Sequence, residues 1–298
     1  MPFTPGLGAY SGGVTVLEVI QRSTDYLAQK GVESPRRNIE EMLAHRLKLP
    51  RLQLYLNFDR PLAEADLEVL RAMVKRRGQR EPLQHILGSV CFCGLDLAAN
   101  RHALVPRPET ELLAEQAWHY LSALSLPGPS VLDLGTGTGC LAITLATKVP
   151  GAQVHAVDVS SEALALARQN AQTHGLADRI HFHEGDGFAA LPPGLQLDLL
   201  VSNPPYIPSA EIETLQPEVR DFDPRLALDG GPDGLDFHRR IARETAGWLK
   251  AGGRIMLEFG DGQAEALAEI FVAQNWIVEA RVEDYSRRPR ILVVRSAT

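Results

Sequence analysis

Apolar residues recur at helical spacing in the first third of the chain and give way to short apolar runs in the rest. Val16, Val19, Ile20, Tyr26 and Leu27 mark one face of a helix over 14–30, which Gly31 ends. Ser34-Pro35 reads as a second helix start, with Ser as N-cap and Pro at the first helical position, and the pattern runs to about Lys48 ahead of Pro50. A third helix fits 63–77 after Pro61. Alternation in Val90-Cys91-Phe92-Cys93-Gly94-Leu95, and again near Ala103 to Val105, predicts a hairpin. Residues 108–124 read as a helix that Pro127-Gly128-Pro129 breaks.

From Ser130 the pattern alternates strand and helix. The expected strands are 131–134, 154–158, 180–184, 198–202 and 254–259, and the expected helices are 140–148, 161–173, 236–249 and 263–274. Short apolar strands separated by helices imply a mostly parallel sheet covered on both faces, an α/β fold. Two last segments, 277–283 and 291–295, have no helix between them and should pair as an antiparallel C-terminal edge. The expected organisation is a disordered Pro- and Gly-rich tail over 1–13, a small helical domain over 14–87, a hairpin connector over 88–107 and an α/β domain over 108–298.

Composition narrows the function. The 298 residues are 45% hydrophobic and 22% charged, ordinary for a soluble globular chain that needs neither disulfides nor metals to hold its core. The formal net charge of −7 disfavours a protein that coats nucleic acid, since such binding needs excess Lys and Arg facing phosphates. The three cysteines, Cys91, Cys93 and Cys140, suggest neither a disulfide framework nor a zinc site, and Cys91 and Cys93 read as two small apolar side chains on one strand face. No 18-residue apolar run and no signal-peptide pattern occur, so no membrane association is expected and the cytoplasm is the default location.

Two motifs carry chemistry. Asp133-Leu134-Gly135-Thr136-Gly137-Thr138-Gly139 sits where a strand should end and a helix begin, and glycines there allow a tight turn and close approach of a ligand to the backbone. Asp158 closes the next strand, where a carboxylate can accept from both hydroxyls of a ribose. This pairing fits a dinucleotide or S-adenosyl-L-methionine. The Gly-x-Gly-x-Gly spacing, unlike Gly-x-Gly-x-x-Gly, favours the methyl donor. The second motif, Asn203-Pro204-Pro205-Tyr206, follows the strand 198–202 and should lie beside the glycine turn. Two prolines hold the backbone extended and remove two donors, leaving a pocket rich in carbonyls. The Asn203 side-chain oxygen and the Pro204 carbonyl can take the two hydrogens of a substrate NH2, with Tyr206 against its planar π system. An amide nitrogen is a poor nucleophile because its lone pair is delocalised, so positioning is what such a site must supply.

These residues resemble those of the class I S-adenosylmethionine-dependent methyltransferases, and within them the HemK-type release factor N(5)-glutamine methyltransferases (the PrmC family). The similarity runs from about Val14 onward. It includes Glu33-Ser34-Pro35-Arg36-Arg37, Leu104-Val105-Pro106-Arg107-Pro108-Glu109-Thr110-Glu111, the glycine turn, Asp158, Ser202 to Ile207 and Asp229-Gly230-Gly231-Pro232-Asp233-Gly234. The resemblance implies a Rossmann-like domain behind a small N-terminal helical domain that docks the substrate. It implies an enzyme of translation termination that transfers methyl from S-adenosyl-L-methionine, with S-adenosyl-L-homocysteine as product. The acceptor would be the glutamine of the Gly-Gly-Gln loop of peptide chain release factors. By the same resemblance Asn203, Pro204 and Tyr206 are catalytic, and Asn203, Pro204, Pro205 and Tyr206 hold the glutamine. Gly135, Thr136, Gly137, Thr138, Gly139, Asp158, Gly187 and Asn203 hold the donor, with Gly187 near the adenine where the family often carries a large side chain. No metal is implied, and Phe92 is expected near the site.

Competing readings share these motifs. A sibling branch methylates a glutamine of a ribosomal protein, though its motif tends to read Pro-Arg-Ser where this chain has Pro106-Arg107-Pro108. An adenine-N6 nucleic-acid methyltransferase would flip a base into the same tetrapeptide, against the acidic net charge. A non-catalytic S-adenosylmethionine-binding or NAD-binding protein would not need an intact Asn203-Pro204-Pro205-Tyr206. The cluster Lys75-Arg76-Arg77 with Arg80 reads as a solvated helix end, the alternative being a contact with an acidic patch or RNA near the partner, and His181 with His183 lacks an evident third ligand for zinc.

Overall fold

The computed structural model describes residues 13–296, so nearly all of the expected N-terminal tail lies outside the described residues. The chain divides into two compact units after Gly88.

The first unit is helical: α1 (Val16–Gln29), α2 (Pro35–Leu47), α3 (Glu64–Gly78) and the short α4 (Leu83–Leu87), with a 3-10 turn at Arg51–Leu56. Thr15 opens α1 with a capping box: the Glu18 amide donates to Thr15 Oγ1 at 3.3 Å and the Thr15 amide donates to Glu18 Oε2 at 3.0 Å. The expected Ser34 cap does not form. Ser34 adopts φ 47° and its side chain makes no capping bond. Asn38 instead donates to the Glu33 and Ser34 carbonyls, at 3.0 Å each. Arg77 is also not solvated. It is buried, and its Nε donates to Asn38 Oδ1 at 2.7 Å, joining α3 to α2 across the core formed by Leu27, Ile39, Leu43, Leu54 and Leu70.

The second unit opens with a hairpin of β1 (Ser89–Phe92) and β2 (Leu95–Ala98), followed by α5 (Pro108–Ala123). Both arms are closer in sequence than expected. The turn is Cys93-Gly94, Ala103 to Val105 form no strand, and the hairpin belongs to the second unit. Cys93 sits in that turn with φ 49°, so Cys91 and Cys93 do not share a strand face.

The remaining elements are β3 (Ser130–Leu134), α6 (Cys140–Lys148), β4 (Gln153–Asp158), α7 (Ser161–Thr173), β5 (Ile180–Glu184), β6 (Leu197–Ser202), the short α8 (Pro217–Arg220), α9 (Asp236–Glu244), β7 (Leu249–Glu258), α10 (Ala264–Ala273), β8 (Trp276–Glu283) and β9 (Pro289–Ser296). The sheet runs β5-β4-β3-β6-β7-β9-β8; the first five strands are parallel, and β9 pairs antiparallel with both β7 and β8. Every residue of β6 is buried, as a strand covered on both faces requires. Leu113 and Leu121 of α5 and Leu141 of α6 pack on one face, and Ile241 of α9 with Leu267 and Phe271 of α10 pack on the other. The helix expected over 236–249 stops at Glu244 and continues as a 3-10 turn, Thr245–Trp248.

The order of the strands locates the site. After β3 the chain winds outward through β4 and β5, then returns to place β6 on the other side of β3. Between β3 and β6 the winding reverses, and the carboxyl ends of strands flanking such a point leave a crevice.

Candidate active site

A cavity of about 190 Å³ occupies that crevice. Its walls bring together the glycine turn after β3, Asp158 and Val159 after β4, Gly187 and Phe188 after β5, and Asn203-Pro204-Pro205 after β6. The backbone of the turn is tied to the neighbouring strand, because the amides of Gly135 and Thr136 both donate to the Val157 carbonyl at 2.9 Å. Gly139 has φ 81°, and a Cβ there would stand 3.1 Å from Ala167 Cβ and from Ile143 Cδ1, so glycine is needed for the turn to seat against α7.

Asp158 is held in place by backbone donors. Its Oδ2 accepts from Gly137 N at 2.8 Å and its Oδ1 from Ser160 N at 2.9 Å. Each oxygen keeps acceptor capacity for a further donor such as a ribose hydroxyl. Asp133 is buried beneath the turn, where its Oδ2 accepts from Thr136 Oγ1 at 2.6 Å and from Ala142 N at 3.1 Å. Burial raises its carboxyl to about 7, against the pull of those two bonds.

Gly187 faces Arg240. A Cβ at Gly187 would stand 2.9 Å from Arg240 Nη2, and the residue has φ 65°. The guanidinium of Arg240, reaching over from α9, therefore fills the space where a side chain at position 187 would stand, held by the Asp186 carboxylate and by Glu244.

The tetrapeptide is braced from several directions. Ser202 Oγ donates to the Leu134 carbonyl at 2.6 Å, joining the ends of β6 and β3. Asn203 Nδ2 donates to Thr110 Oγ1 at 3.0 Å, and Thr110 Oγ1 donates to Glu258 Oε2 at 2.7 Å. Tyr206 stands beside the cavity, not in its wall. Its hydroxyl donates to Glu258 Oε1 at 3.3 Å and its carbonyl accepts from Gln263 Nε2 at 2.9 Å. Burial and the Glu258 carboxylate push the Tyr206 phenol up. Asp229 to Gly234 lie along this loop, and a Cβ on Gly234 would come within 2.2 Å of the Tyr206 carbonyl oxygen, so glycine alone fits there. Thr110 and Glu258 were not singled out as site residues in the sequence. Thr110 sits inside segment 104–111, but Glu258 carried no signal beyond lying within the expected strand 254–259.

Other sequence-selected residues fall elsewhere. Phe92 packs in the core with Leu97, Leu113 and Leu141 and does not line the cavity, because β1 lays it against the sheet-covering helices. Arg107 pairs with the buried Asp223 at 2.8 Å. Burial raises the Asp223 carboxyl to about 6, opposed by Arg107. His181 and His183 meet a third ring, His155 of β4, whose Nδ1 lies 3.0 Å from His183 Nε2 and which stacks on both. Burial lowers His155 to about 4 and also lowers His183, which favours the neutral form of these two rings. Among the described residues no group of three His, Cys, Asp or Glu is placed to hold a metal ion, and no helix is long and apolar enough to cross a membrane.

A parallel sheet that reverses its winding at a glycine turn, and then folds its last strand back antiparallel beside the fifth, is the architecture of the class I methyltransferases, and this chain is one of them. The hMettl16 catalytic domain, solved in complex with a 3′UTR hairpin, shares that fold at a TM-score of 0.53 and 15% identity, over 78% of this chain and 82% of that one. Residues 18–88 match the PrmC N-terminal domain and residues 114–217 the methyltransferase small domain. The release factor glutamine methyltransferase of Geobacter sulfurreducens is 46% identical over 257 residues, 86% of this chain and 88% of that protein. That of Chlorobaculum tepidum is 46% identical over 276 residues, 88% of this chain and 94% of that protein. The chain belongs to the release factor glutamine methyltransferase family.

Proposed function

We propose that this protein transfers a methyl group from S-adenosyl-L-methionine to the side-chain amide nitrogen of the glutamine in the Gly-Gly-Gln loop of a peptide chain release factor. The observation that carries this reading is that one cavity joins the glycine turn and Asp158 to Asn203-Pro204-Pro205, in a chain of this family. The cavity fits the donor on its own features. Asp158 offers two fixed carboxylate oxygens to vicinal hydroxyls, and the backbone at Gly135 and Gly137 is open to close approach. At Gly187 a cradle is lined by Arg240, where the adenine would lie.

When bound, the sulfonium supplies an electrophilic methyl. The rest falls to the chain. Asn203 already spends its amide nitrogen on Thr110, so its Oδ1 is the atom left to accept a hydrogen of the glutamine NH2. The Pro204 carbonyl accepts the second hydrogen, and Pro205 closes the wall. Two in-plane acceptors turn the weak lone-pair face of the amide toward the methyl. Positioning of this kind supplies up to about 7–11 kcal/mol of barrier reduction. They also stabilise the positive charge that grows on those hydrogens as the bond forms. Tyr206 acts from the side, its hydroxyl donating to Glu258. No side chain must remove a proton before attack, because the alkylated nitrogen becomes strongly acidic and gives its surplus proton to water.

The choice of release factor rests on family membership and on segment 104–111. The net charge of −7 disfavours long contact with nucleic acid, and a cytoplasmic location accompanies this substrate. Three acceptors test the reading: an intact release factor, the same factor with its Gly-Gly-Gln glutamine replaced, and duplex DNA containing adenine. Methyl incorporation, read by mass spectrometry, is expected only in the first. Incorporation that survives the replacement, or that prefers DNA, overturns the proposal.

A further inference from the structure

We infer that Glu258 is a positioning residue that decides which way round the Asn203 amide faces, acting through the Thr110 hydroxyl. The inference rests on the function proposed above.

A carboxamide is nearly symmetric in shape. Its oxygen and its NH2 exchange places by a half-turn, and only the hydrogen bonds of its neighbours tell the two apart. For a site that must accept a hydrogen from an amide substrate, the wrong orientation sets NH2 against NH2. The neighbour of Asn203 is Thr110, and a hydroxyl by itself cannot discriminate: it can accept from Nδ2 or donate to Oδ1. Glu258 removes that freedom. An ionised carboxylate only accepts. It takes the single Thr110 proton on Oε2 at 2.7 Å and the Tyr206 proton on Oε1 at 3.3 Å. Thr110 then has only a lone pair to offer Asn203, and the contact at 3.0 Å must be Nδ2 donating. Oδ1 is left for the cavity.

The residues of this relay lie far apart in sequence, in the first turn of α5, the loop after β6 and the last position of β7. Glu258 is 1% exposed and makes no ion pair within 4.0 Å among the described residues, so its burial is a cost that stability does not explain. Charged and titratable groups meet it from each packed element: Glu109 of α5 disfavours its charge, Arg290 of β9 favours it, and Tyr206 donates to it. From α9, the buried His238 bonds its main-chain carbonyl and stays neutral. Burial is the largest influence and raises the carboxyl to about 7. Once protonated, Glu258 can donate to Thr110, the Thr110 proton is released toward Asn203 Oδ1, and the orientation is lost. Turnover should therefore fall on the acid side of about pH 7.

The experiment measures kcat with the release factor at saturating donor from about pH 6 to 9, beside calorimetric affinity for S-adenosyl-L-homocysteine. Thr110→Val cuts the relay and is expected to lower kcat about tenfold or more while leaving that affinity within about twofold. Thr110→Ser keeps the hydroxyl and is expected to stay within about threefold of the wild type. Glu258→Gln can satisfy the same partners in either sense. It is expected to lower kcat less than Thr110→Val and to abolish the acid fall. Thr110→Val turning over like Thr110→Ser, or an acid limb that persists in Glu258→Gln, overturns the inference. If Thr110→Val does not fold, the Glu258→Gln profile decides alone. A wild-type chain that leaves the release factor glutamine unmethylated sinks the functional reading and this inference with it. Normal wild-type turnover with an unaltered Glu258→Gln profile sinks the inference only.

Discussion

Asp158 and Asn203 are both fixed by hydrogen bonds that the chain makes within itself, so each can be tested against the ligand it is proposed to hold. Asp158 accepts from Gly137 N and Ser160 N, which aims its carboxylate beside the glycine turn. A hydrogen bond to a charged group contributes about 1.5–3 kcal/mol. Asp158→Ala should therefore raise the dissociation constant for S-adenosyl-L-homocysteine about tenfold or more in calorimetry, and an unchanged constant would remove Asp158 from the donor site. Asn203→Ala removes an acceptor that matters most as charge grows on the substrate NH2, so kcat should fall roughly 100-fold while donor affinity stays near its original value. Parallel loss of both would assign Asn203 to donor binding instead. At Tyr206 the hydroxyl serves Glu258 and the ring braces the loop. Tyr206→Phe should thus be milder in kcat than Tyr206→Ala; equal losses would place the whole effect on the hydroxyl.

Among elements, those whose signal is local were legible and those whose signal is tertiary were not. The helices Cys140–Lys148 and Ser161–Thr173 and the strand Ile180–Glu184 match their expected bounds, because Gly, Pro and Ser punctuate apolar runs at those places. The 3-10 turn Arg51–Leu56 and α4 are too short for any period to register. Ala103 to Val105 alternate like a strand, yet they lead into α5 without a partner, since alternation reports burial on one side and not pairing. In the site, the glycine turn, Asp158 and Asn203-Pro204-Pro205 were readable because each follows a recognisable strand. The Thr110–Glu258 bond spans 148 residues and exists only because the sheet order sets β7 beside β6 under α5, which no local pattern records. Helix capping gives a sharp check on the same distinction. Thr15 and Ser34 look alike as N-caps, but Thr15 completes a capping box and Ser34 makes no capping bond. Thr15→Ala should cost about 1 kcal/mol in urea unfolding followed by circular dichroism, and Ser34→Ala only a few tenths. Equal costs would show that the two side chains act alike in solution.

At the scale of the molecule, buried titratable groups pull the stability of the second unit in opposite directions with pH. Burial raises Asp133 and Glu258 to about 7, so the folded state holds their protons more tightly than the unfolded chain; that stability is present below about pH 4 and is lost as pH rises to about 7. Burial lowers His155 and His238 from 6.5 to about 4, so the stability of their neutral forms is present above about pH 6.5 and is lost as pH falls toward 4. His238 is the cleaner probe. It is fully buried, and its Nε2 lies 3.0 Å from the Glu258 carbonyl, a bond the side chain of glutamine can also donate. All three tryptophans, Trp118, Trp248 and Trp276, lie in the second unit, so their fluorescence follows its unfolding and not that of the helical unit. Each proton taken up only on unfolding changes stability by about 1.4 kcal/mol per pH unit. In urea titrations read by tryptophan fluorescence, the change in unfolding free energy from pH 7 to pH 5 should be more favourable in His238→Gln than in the wild type, by up to roughly 2 kcal/mol. The variant keeps the other shifted groups, Asp133, Asp223, Glu258, His155 and His183, so they contribute equally in both proteins. If the stability of the two proteins changes equally between those pH values, His238 binds its proton alike in the folded and unfolded chain, and its buried ring is not held neutral.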